Sequence, residues 1–204
     1  PKHIKEISKG DSAKICSCDI EEVTGFNTSF SVNDRTRTFL KVQDGCDYNC
    51  SFCTIPMARG KSRSDSIANV MKSAEMLAAK GVKEIVLTGI NLGDFGKGPD
   101  GDAPVAINGR QENFYDLIRA LDDVDGIERY RISSIEPNLL TNEMIEFVAN
   151  CKKMMPHFHI PLQSGSNKIL AAMRRRYKRE LYAERVGVIK TLMPHAAIGV
   201  AVIV

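Results

Sequence analysis

Three of the chain's six cysteines stand within eight residues of one another. Cys46, Cys50 and Cys53 are spaced Cys-x-x-x-Cys-x-x-Cys, a pattern that fits a metal site, a redox pair with a spare thiol, or coincidence. A structural zinc site usually takes four protein ligands in two Cys-x-x-Cys pairs. Three thiolates on one loop can instead hold three irons of a four-iron cluster and leave the fourth iron open to another ligand. The spacing therefore favours an iron–sulfur site over zinc.

The cysteines follow the first of five β-branched segments that alternate with amphipathic ones. The predicted strands are "TFLKVQ" (38–43), "KEIVLTG" (83–89), "RYRISS" (129–134), "HFHIPL" (157–162) and "AIGVAVIV" (197–204), the last of which we expect to be buried. Predicted helices follow the N-cap residues Ser66, Thr141 and Ser166, and two more cover 114–121 and 180–192. This alternation is typical of βαβ units in a parallel α/β sheet. Five units are too few for a closed eight-unit barrel, so we expect an open or partial barrel or a doubly wound sheet.

The composition fits one folded domain, because 43% of the 204 residues are hydrophobic and 26% are charged. We place this domain at 36–204 and interpret 1–35 as a connector or the remnant of a preceding domain. The start of the chain lacks a signal-peptide core, and the longest apolar run, 196–204, is less than half of the roughly 20 residues that a membrane helix needs. We therefore expect a cytosolic protein without membrane contact.

Basic residues cluster at two places, although the net charge is only +3. One cluster is Arg59, Lys61 and Arg63, and the other is "RRRYKR" (174–179). Such runs are most often a solvated face, but they are also the electrostatic footprint of nucleic-acid binding. Charge alone leaves both interpretations open.

The cysteine trio, with Phe52 immediately before its third member, resembles the hallmark of the radical S-adenosylmethionine (SAM) enzymes. Five segments spread in order over 34–204 are similar to the methylthiotransferases of that group, most closely the tRNA threonylcarbamoyladenosine methylthiotransferases. They are "DRTRTFLKVQDGCDYNCSFCTIPMARGKSRS", "EIVLTGINLGDFG", "RYRISSIEP", "HFHIPLQSGSNKIL" and "MRRRYKRE". By this resemblance the fold is a partial (β/α)6-type radical SAM barrel of the α/β class, truncated here after its fifth strand.

The resemblance implies an enzyme that adds a methylthio group to threonylcarbamoyladenosine beside the anticodon of tRNA. It would use a 4Fe–4S cluster and SAM, with SAM as both methyl donor and source of a 5′-deoxyadenosyl radical. A second cluster is expected in the full-length protein, as is an electron donor such as a flavodoxin-type protein. Related branches modify isopentenyladenosine in tRNA or an aspartate of a ribosomal protein, and both substrates stay open as alternatives.

The resemblance also implies roles for particular residues, although it names no catalytic side chain. The cluster ligands are Cys46, Cys50 and Cys53, and Phe52 lines the adenine site. Other predicted cofactor contacts are Thr88 and Gly89 (SAM amino group), Ser133, Ser134 and Glu136 (ribose or amino acid portion), Gln163 with Ser164, and Arg174 with Arg176. Arg59, Lys61 and the arginines at 174–176 are expected to reach phosphate or the SAM carboxylate. Three features depart from the family pattern. Cys16 and Cys18 do not match the further cysteines of the family's N-terminal domain, the expected glycine-rich turn after the fifth strand and small C-terminal RNA-binding domain are not seen in this sequence, and Ala201 stands where the family usually has Asp.

An interpretation of another class stays open, a zinc-stabilised RNA-binding module without catalysis. His157 and His159 share one face of a predicted strand, and either could supply a fourth ligand to zinc bound by the three cysteines. Two hydrogen-bonded strand histidines are the simpler expectation. Cys16, Cys18 and Cys151 have no ligand-like partners at metal spacing, so we interpret them as ordinary thiols.

Overall fold

The computed structural model describes residues 18–31, 37–97 and 111–203. The strands in these ranges are β1 (Ser29–Phe30), β2 (Thr38–Lys41), β3 (Gln43–Asp44), β4 (Arg63–Ser64), β5 (Glu84–Thr88), β6 (Arg129–Ile132), β7 (His157–His159) and β8 (Ala197–Gly199). The α-helices are α1 (Ile55–Arg59), α2 (Ile67–Ala79), α3 (Phe114–Asp122), α4 (Asn142–Asn150), α5 (Asn167–Ala172) and α6 (Arg179–Leu192). Two short 3-10 turns cover Ile20–Glu22 and Leu92–Asp94.

The sheet is built from parallel strands that follow one another in chain order. β2, β5 and β6 pair in parallel, and β1 joins the outer edge of β2 in the antiparallel sense. β7 and β8 form a second parallel pair. Parallel bridges from Tyr130 to Met154 and from Ser134 to His159 connect β6 to β7. The predicted α/β series is therefore confirmed, with helices between successive parallel strands.

The core lies between the sheet and the helices that cross back over it. Leu40, Ile85 and Leu87 of the central strands are fully buried. Helix α2 packs beside α3, and both bury one apolar face because their apolar residues recur at helical spacing. This core fixes the C-terminal ends of β2, β5 and β6 relative to one another, which is where the predicted site lies.

Two of the three predicted helix caps form their side-chain hydrogen bond. The Ser66 Oγ accepts a hydrogen bond from the Asn69 N–H at the start of α2, and Thr141 does the same for Met144 at the start of α4. Ser166 occupies the N-cap position of α5, but its side chain makes no capping hydrogen bond. The predicted N-cap position of Ser166 is therefore confirmed, but the capping hydrogen bond is not formed.

The prediction that 197–204 is a buried strand was wrong, because the strand β8 ends at Gly199 and none of its residues is buried: Ala197 is exposed, and Ile198 and Gly199 are partly exposed. Val200, Val202 and Ile203 are each about half exposed. β8 pairs with β7 on one side, and no described element follows it to cover the other side. A bridge from Gln163 to Val202 continues the pairing past the end of β8.

Part of the predicted connector packs against the sheet. β1 pairs with β2 through Ser29 with Lys41 and Phe30 with Leu40. Residues 1–17 and 32–36, which include Cys16, lie outside the described residues, so the predicted boundary at 35 remains a prediction. Among the described helices, none is long and apolar enough to cross a membrane.

Candidate functional site

The cysteine loop, residues 45–62, leaves the sheet through a turn that only glycine accommodates. β3 and β4 pair antiparallel across its base. Gly45 has φ +70°, and a Cβ there would lie 1.9 Å from the Lys61 carbonyl oxygen. The Cys46 N–H donates to the Gly60 carbonyl at 3.1 Å, which closes the loop. The close backbone approach at Gly45 therefore sets where the three cysteines begin.

Gln43 ties the cysteine loop to the loop that follows β5. Its side chain is fully buried, and its Nε2 donates to the Gly45 carbonyl at 2.8 Å and to the Ser62 Oγ at 2.9 Å. Its Oε1 accepts from the backbone N–H groups of Ile90 (2.9 Å) and Asn91 (2.8 Å). One side chain thus holds the ends of two parallel strands in register, and the sequence pattern gave no sign of this role.

A buried ion pair braces the base of the loop. The Arg63 guanidinium lies 3.5 Å from the Asp44 carboxylate, and both side chains are 8% exposed. Arg63 also donates to the backbone carbonyls of Gly25, Arg59 and Lys61. Because these contacts use its donors, Arg63 supports the loop and is not available to phosphate. Lys41 and Arg59 reach the same Asp44 carboxylate at 3.3 and 3.6 Å.

The three cysteines differ in exposure but lie within electrostatic reach of one another. Cys50 is buried, while Cys46 and Cys53 are partly exposed. The pKa of the Cys46 thiol is raised to about 11, chiefly by burial: a hydrogen bond from the Tyr48 N–H lowers it, and the charges of Asp94, Cys50 and Cys53 add to the rise. Thiolates gathered in this way require a positive counter-charge, which a metal centre would supply.

The donor set fits an iron–sulfur cluster better than a single zinc ion. In the part of the chain that the structure describes, no three His, Cys, Asp or Glu side chains converge on one point as a metal-ion site requires. A cluster takes each cysteine on a different iron, so its three sulfur atoms need not share one point. The buried Oδ1 atoms of Asn91 and Asn138 and the Nε of Arg175 also have no hydrogen-bond partner, which leaves polar groups for a bound molecule.

The two strand histidines do not complete a zinc site with the cysteines in the described structure. The His159 Nδ1 lies 2.6 Å from the Ser134 Oγ, which confirms the expectation of a hydrogen-bonded histidine there. The Nδ1 of His157 is buried without a partner, so the same expectation was wrong for His157. Cys151 donates to the Val148 carbonyl and is partly exposed, as an ordinary thiol would be.

The last residue of α5 and the four that follow it, residues 172–176, dock on the cysteine loop. Ser51 donates its N–H to the Met173 carbonyl and its hydroxyl to the Ala172 carbonyl, at 3.3 and 3.2 Å. Arg176 donates to the Asp47 carbonyl at 3.2 Å and its guanidinium lies 4.0 Å from the centre of the Tyr48 ring. The second basic cluster (174–179) is therefore more than a solvated face, because Arg176 binds the cysteine loop directly.

Arg175 is the member of this segment that reaches a cysteine sulfur. Its side chain is 4% exposed, its Nη1 donates to the Cys50 Sγ at 3.2 Å, and its Nη2 forms an ion pair with Glu136. Burial raises the pKa of the Glu136 carboxyl, and the hydrogen bond from Arg175 partly offsets that rise. The sequence placed all three arginines at 174–176 near phosphate or the SAM carboxylate but gave Arg175 no separate role, because three consecutive arginines carry no local signal for which one turns inward.

The structure brings several other predicted residues to the same edge of the sheet. Thr88 and Gly89 end β5, Ser133 and Ser134 follow β6, and Gln163 and Ser164 follow β7. Gly89 packs tightly, since a Cβ there would lie 2.9 Å from the Gln43 side chain. Gln163 has φ +63° and Arg174 has φ +58°, conformations that are costly for residues with side chains and that cluster at functional sites.

Other predicted cofactor contacts are either exposed to solvent or already paired with another side chain. Phe52, Arg59, Lys61 and Arg174 are exposed or partly exposed. Glu136 is engaged by Arg175, so its carboxylate is not free for ribose hydroxyls in this arrangement. Asp94, for which the sequence predicted no role, is fully buried, accepts from the Asn91 side chain at 2.7 Å and pairs with Lys97.

A cavity of about 610 Å³ opens beside Cys46. It lies between the 3-10 turn at Ile20–Glu22 and helix α1, and Met57 and Lys61 also line it. The side of the loop that carries Cys46 therefore has room for a bound group.

Comparison with known proteins extends these observations. Residues 40–203 match the model of the Radical SAM superfamily. The chain is 44% identical over 172 residues to threonylcarbamoyladenosine tRNA methylthiotransferase MtaB of Bacillus subtilis (strain 168), covering 84% of this chain and 36% of that protein. It is 41% identical to the Aquifex aeolicus (strain VF5) protein of the same name, covering 90% of this chain and 42% of that protein. It is 37% identical to the tRNA-2-methylthio-N(6)-dimethylallyladenosine synthase of Alkaliphilus oremlandii (strain OhILAs), covering 90% and 38%. The chain thus spans between 36% and 42% of the length of these relatives.

Solved structures share the fold at low sequence identity. The cobalamin-dependent SAM radical enzyme OxsB, with aqua-cobalamin and SAM bound, gives a TM-score of 0.60 at 17% identity and covers 81% of this chain and 23% of that one. The radical SAM methyltransferase TsrM of Kitasatospora setae, with tryptophan and a SAM analogue bound, gives a TM-score of 0.57 at 18% identity. This match covers 80% of this chain and 29% of that one. These likenesses confirm the predicted partial barrel.

Proposed function

Because the chain belongs to the radical SAM superfamily, we propose that it is the core of a tRNA methylthiotransferase that carries a 4Fe–4S cluster and SAM. One observation carries the proposal: the cysteine trio lies on a glycine-anchored loop that follows β2, the first parallel strand, and the short β3, within the matched range 40–203. The relatives at 37% to 44% identity are all named as enzymes that methylthiolate tRNA.

Cys46, Cys50 and Cys53 would hold the cluster, one sulfur to each of three irons. When bound, the cluster supplies the electron that cleaves SAM, and this yields a radical able to remove hydrogen from an unactivated carbon. The chain's own residues hold and orient the partners of that chemistry. Thr88 and Gly89 lie at the strand end that would meet the SAM amino group, and Phe52 would face the adenine.

Other polar groups along the same edge would hold the rest of SAM. Ser133 and Ser134 after β6, and Gln163 after β7, would contact the ribose or the amino acid portion. The orphaned Oδ1 atoms of Asn91 and Asn138 are acceptors that the sequence did not indicate, and they add to this set. The exposed Lys61 and Arg174 would contact phosphate or the SAM carboxylate.

The target that the comparisons favour is threonylcarbamoyladenosine beside the anticodon. The identity to the proteins named for that substrate, 44% and 41%, exceeds the 37% to the protein named for dimethylallyladenosine. The whole protein would act in the cytosol, with a second cluster outside this chain and a flavodoxin-type electron donor. A ribosomal protein aspartate and dimethylallyladenosine are the alternative targets.

The chemistry is tested by anaerobic reconstitution with iron and sulfide, followed by dithionite and SAM. We expect bound iron and release of 5′-deoxyadenosine, and we expect both to be lost in Cys50→Ala. Cys151→Ala is the matched control, because it removes a partly exposed thiol outside the loop and should leave both unchanged. A colourless protein that binds zinc and ignores SAM under these conditions would support the RNA-binding module instead.

The target is tested with the full-length protein that contains this chain. It would be incubated with two tRNAs, one carrying threonylcarbamoyladenosine and one carrying dimethylallyladenosine, and the nucleosides would be analysed by mass spectrometry. We expect a methylthio group on the first. If only the tRNA with dimethylallyladenosine were methylthiolated, the proposed target would be wrong, but the proposed methylthiotransferase activity would be supported.

A further inference from the structure

We propose that Arg175 and Glu136 set the reduction potential of the cluster, with Arg175 raising it and Glu136 limiting the rise. The proposal rests on the proposed function, in that the cysteine trio binds a cluster. It starts from one contact, the Arg175 Nη1 donating to the Cys50 Sγ at 3.2 Å. Arg175 lies outside the cysteine loop, yet through this contact it would affect the reduction potential of a cluster bound there.

The structure holds the Arg175 guanidinium in place. Its side chain is 4% exposed, and its charge lies 5.1 Å from the centre of the Tyr177 ring. Tyr177 is itself fixed, because its hydroxyl donates toward the carbonyls of Pro161 (2.8 Å) and Leu162 (3.0 Å). A guanidinium confined in this way keeps its position relative to the Cys50 sulfur.

A buried cation at a cysteine ligand favours the reduced state of a cluster. Uptake of one electron makes the cluster more negative, so a positive donor at a ligand sulfur stabilises the reduced form more than the oxidised form. Hydrogen bonds to the sulfurs and net charge are among the factors that set such potentials. Solvent screens this interaction weakly, because Arg175 and Cys50 are both buried.

Glu136 acts in the opposite direction. Its carboxylate pairs with Nη2 of the same guanidinium and is 15% exposed. The negative charge offsets part of the Arg175 charge that the Cys50 sulfur experiences. Removing the carboxylate charge should therefore raise the potential, whereas removing the guanidinium should lower it.

Opposite shifts separate this proposal from a merely structural role. If the pair only held the loop in shape, both single variants would reduce cluster content without shifting the potential in opposite directions. The nearby Arg63–Asp44 pair does not share the proposed role, because the Arg63 donors reach Asp44 and backbone carbonyls.

The test is a potentiometric titration of the anaerobically reconstituted chain, with dithionite as reductant and electron paramagnetic resonance as readout. In Arg175→Met we expect the equilibrium constant for one-electron reduction to fall about tenfold, which is 59 mV. In Glu136→Gln we expect a rise of about the same size. Arg179→Met is the matched control, since it removes the same charge from an exposed side chain and should shift the constant less than about twofold.

The outcomes distinguish the two proposals. If the wild-type chain never takes up a cluster, the proposed function fails and this inference falls with it. If the wild type takes up a cluster but both variants keep its potential, or shift it in the same direction, only the inference fails. Should Arg175→Met lose its cluster, Glu136→Gln decides alone, because it keeps a hydrogen-bond acceptor for Arg175 and removes only the charge. An unchanged or lower potential in Glu136→Gln would overturn the proposal.

Discussion

The cysteine loop is held from two sides by two buried arginine–carboxylate pairs that use the same chemistry differently. At its base, Arg63 pairs with Asp44 and donates to backbone carbonyls. On the other side, Arg175 pairs with Glu136 and donates to the Cys50 sulfur. Both arginines come from basic clusters that look alike in the sequence. The difference shows that an arginine of the first basic cluster supports the base of the loop, whereas an arginine of the second contacts a cysteine sulfur.

The two guanidinium groups also differ in how completely their donors are satisfied. The Arg63 Nε and Nη1 donate to carbonyls and its Nη2 faces Asp44. The Arg175 Nε is buried without a partner. Buried polar groups are nearly always paired, and the exceptions often mark function. Satisfied donors at Arg63 therefore indicate a role in stability, whereas the unpaired donor at Arg175 marks that side chain as a candidate for function.

The largest expected effect comes from displacing the Lys61 carbonyl, which accepts a hydrogen bond from Arg63 of the Arg63–Asp44 pair. A Cβ at Gly45 would lie 1.9 Å from the Lys61 carbonyl oxygen, which Arg63 also contacts at 3.1 Å. Gly45→Ala should lower the free energy of unfolding by about 4 kcal/mol or more and abolish iron uptake. Unfolding in urea would be followed by far-UV circular dichroism, because the chain has no tryptophan.

Gly81→Ala is the control for Gly45→Ala. Gly81 has φ +83°, but a Cβ there would meet nothing within 4 Å. It should therefore cost only the backbone strain, about 1 kcal/mol, and leave iron uptake intact. Equal losses in the two variants would mean that strain, and not the clash with Lys61, controls the loop.

A smaller loss is expected when Arg63 itself is removed. Arg63→Met leaves three backbone carbonyls without their donor and should lower the free energy of unfolding by about 3 kcal/mol. Arg59→Met removes a side chain that is 54% exposed and lies 3.6 Å from the same Asp44, so it should cost about 1 kcal/mol or less. Similar losses in the same urea assay would show that Arg63 and Arg59 stabilise the loop equally. Arg63 would then not be the main support of the loop base, and the contrast with Arg175 would weaken.

Local signals allowed much of the fold to be predicted. Strand segments, the caps Ser66 and Thr141 and the position of the cysteines after the first strands depend on residues that are neighbours in the chain. These features could be predicted because each is set by propensity, periodicity or capping within a few residues. The order of the segments predicted an α/β series but left a partial barrel and a doubly wound sheet open, and only the resemblance to the radical SAM enzymes implied the partial barrel.

The rest of the site depends on contacts between distant residues. Arg175 and Cys50 are 125 residues apart in sequence, and Gln43 meets Asn91 across 48. No pattern in "RRRYKR" shows that its second arginine turns inward, since that follows from the left-handed backbone at Arg174. The exposure of Val200 and Val202 likewise depends on which element covers β8, and composition does not show this.

A weaker effect is expected from loosening the segment that presents Arg175. Arg176→Leu removes a hydrogen bond to the Asp47 carbonyl and a contact with the Tyr48 ring, both at an exposed side chain. It should lower the free energy of unfolding by about 1 kcal/mol and speed the loss of iron to a chelator. Arg174→Leu removes the same charge from the exposed neighbour and should do neither. Identical behaviour of the two would show that charge, and not docking, matters here.

The smallest effect concerns a third carboxylate, Glu84, whose arginines are more exposed. Arg131 and Arg129 donate to Glu84 at 2.6 and 2.9 Å across the start of β5 and β6. Burial alone would raise the pKa of Glu84, but these hydrogen bonds outweigh it and hold the pKa below its usual 4.5. The folded state then binds fewer protons than the unfolded chain, so the stabilisation is present above pH 4.5 and is lost as the pH falls through the folded pKa. At neutral pH, Glu84→Gln should lower the free energy of unfolding by only about 0.5 kcal/mol, because both arginines are partly solvated. The difference between wild type and variant should vanish in acid, whereas a difference that is independent of pH would mean that Glu84 acts through its shape and not its charge.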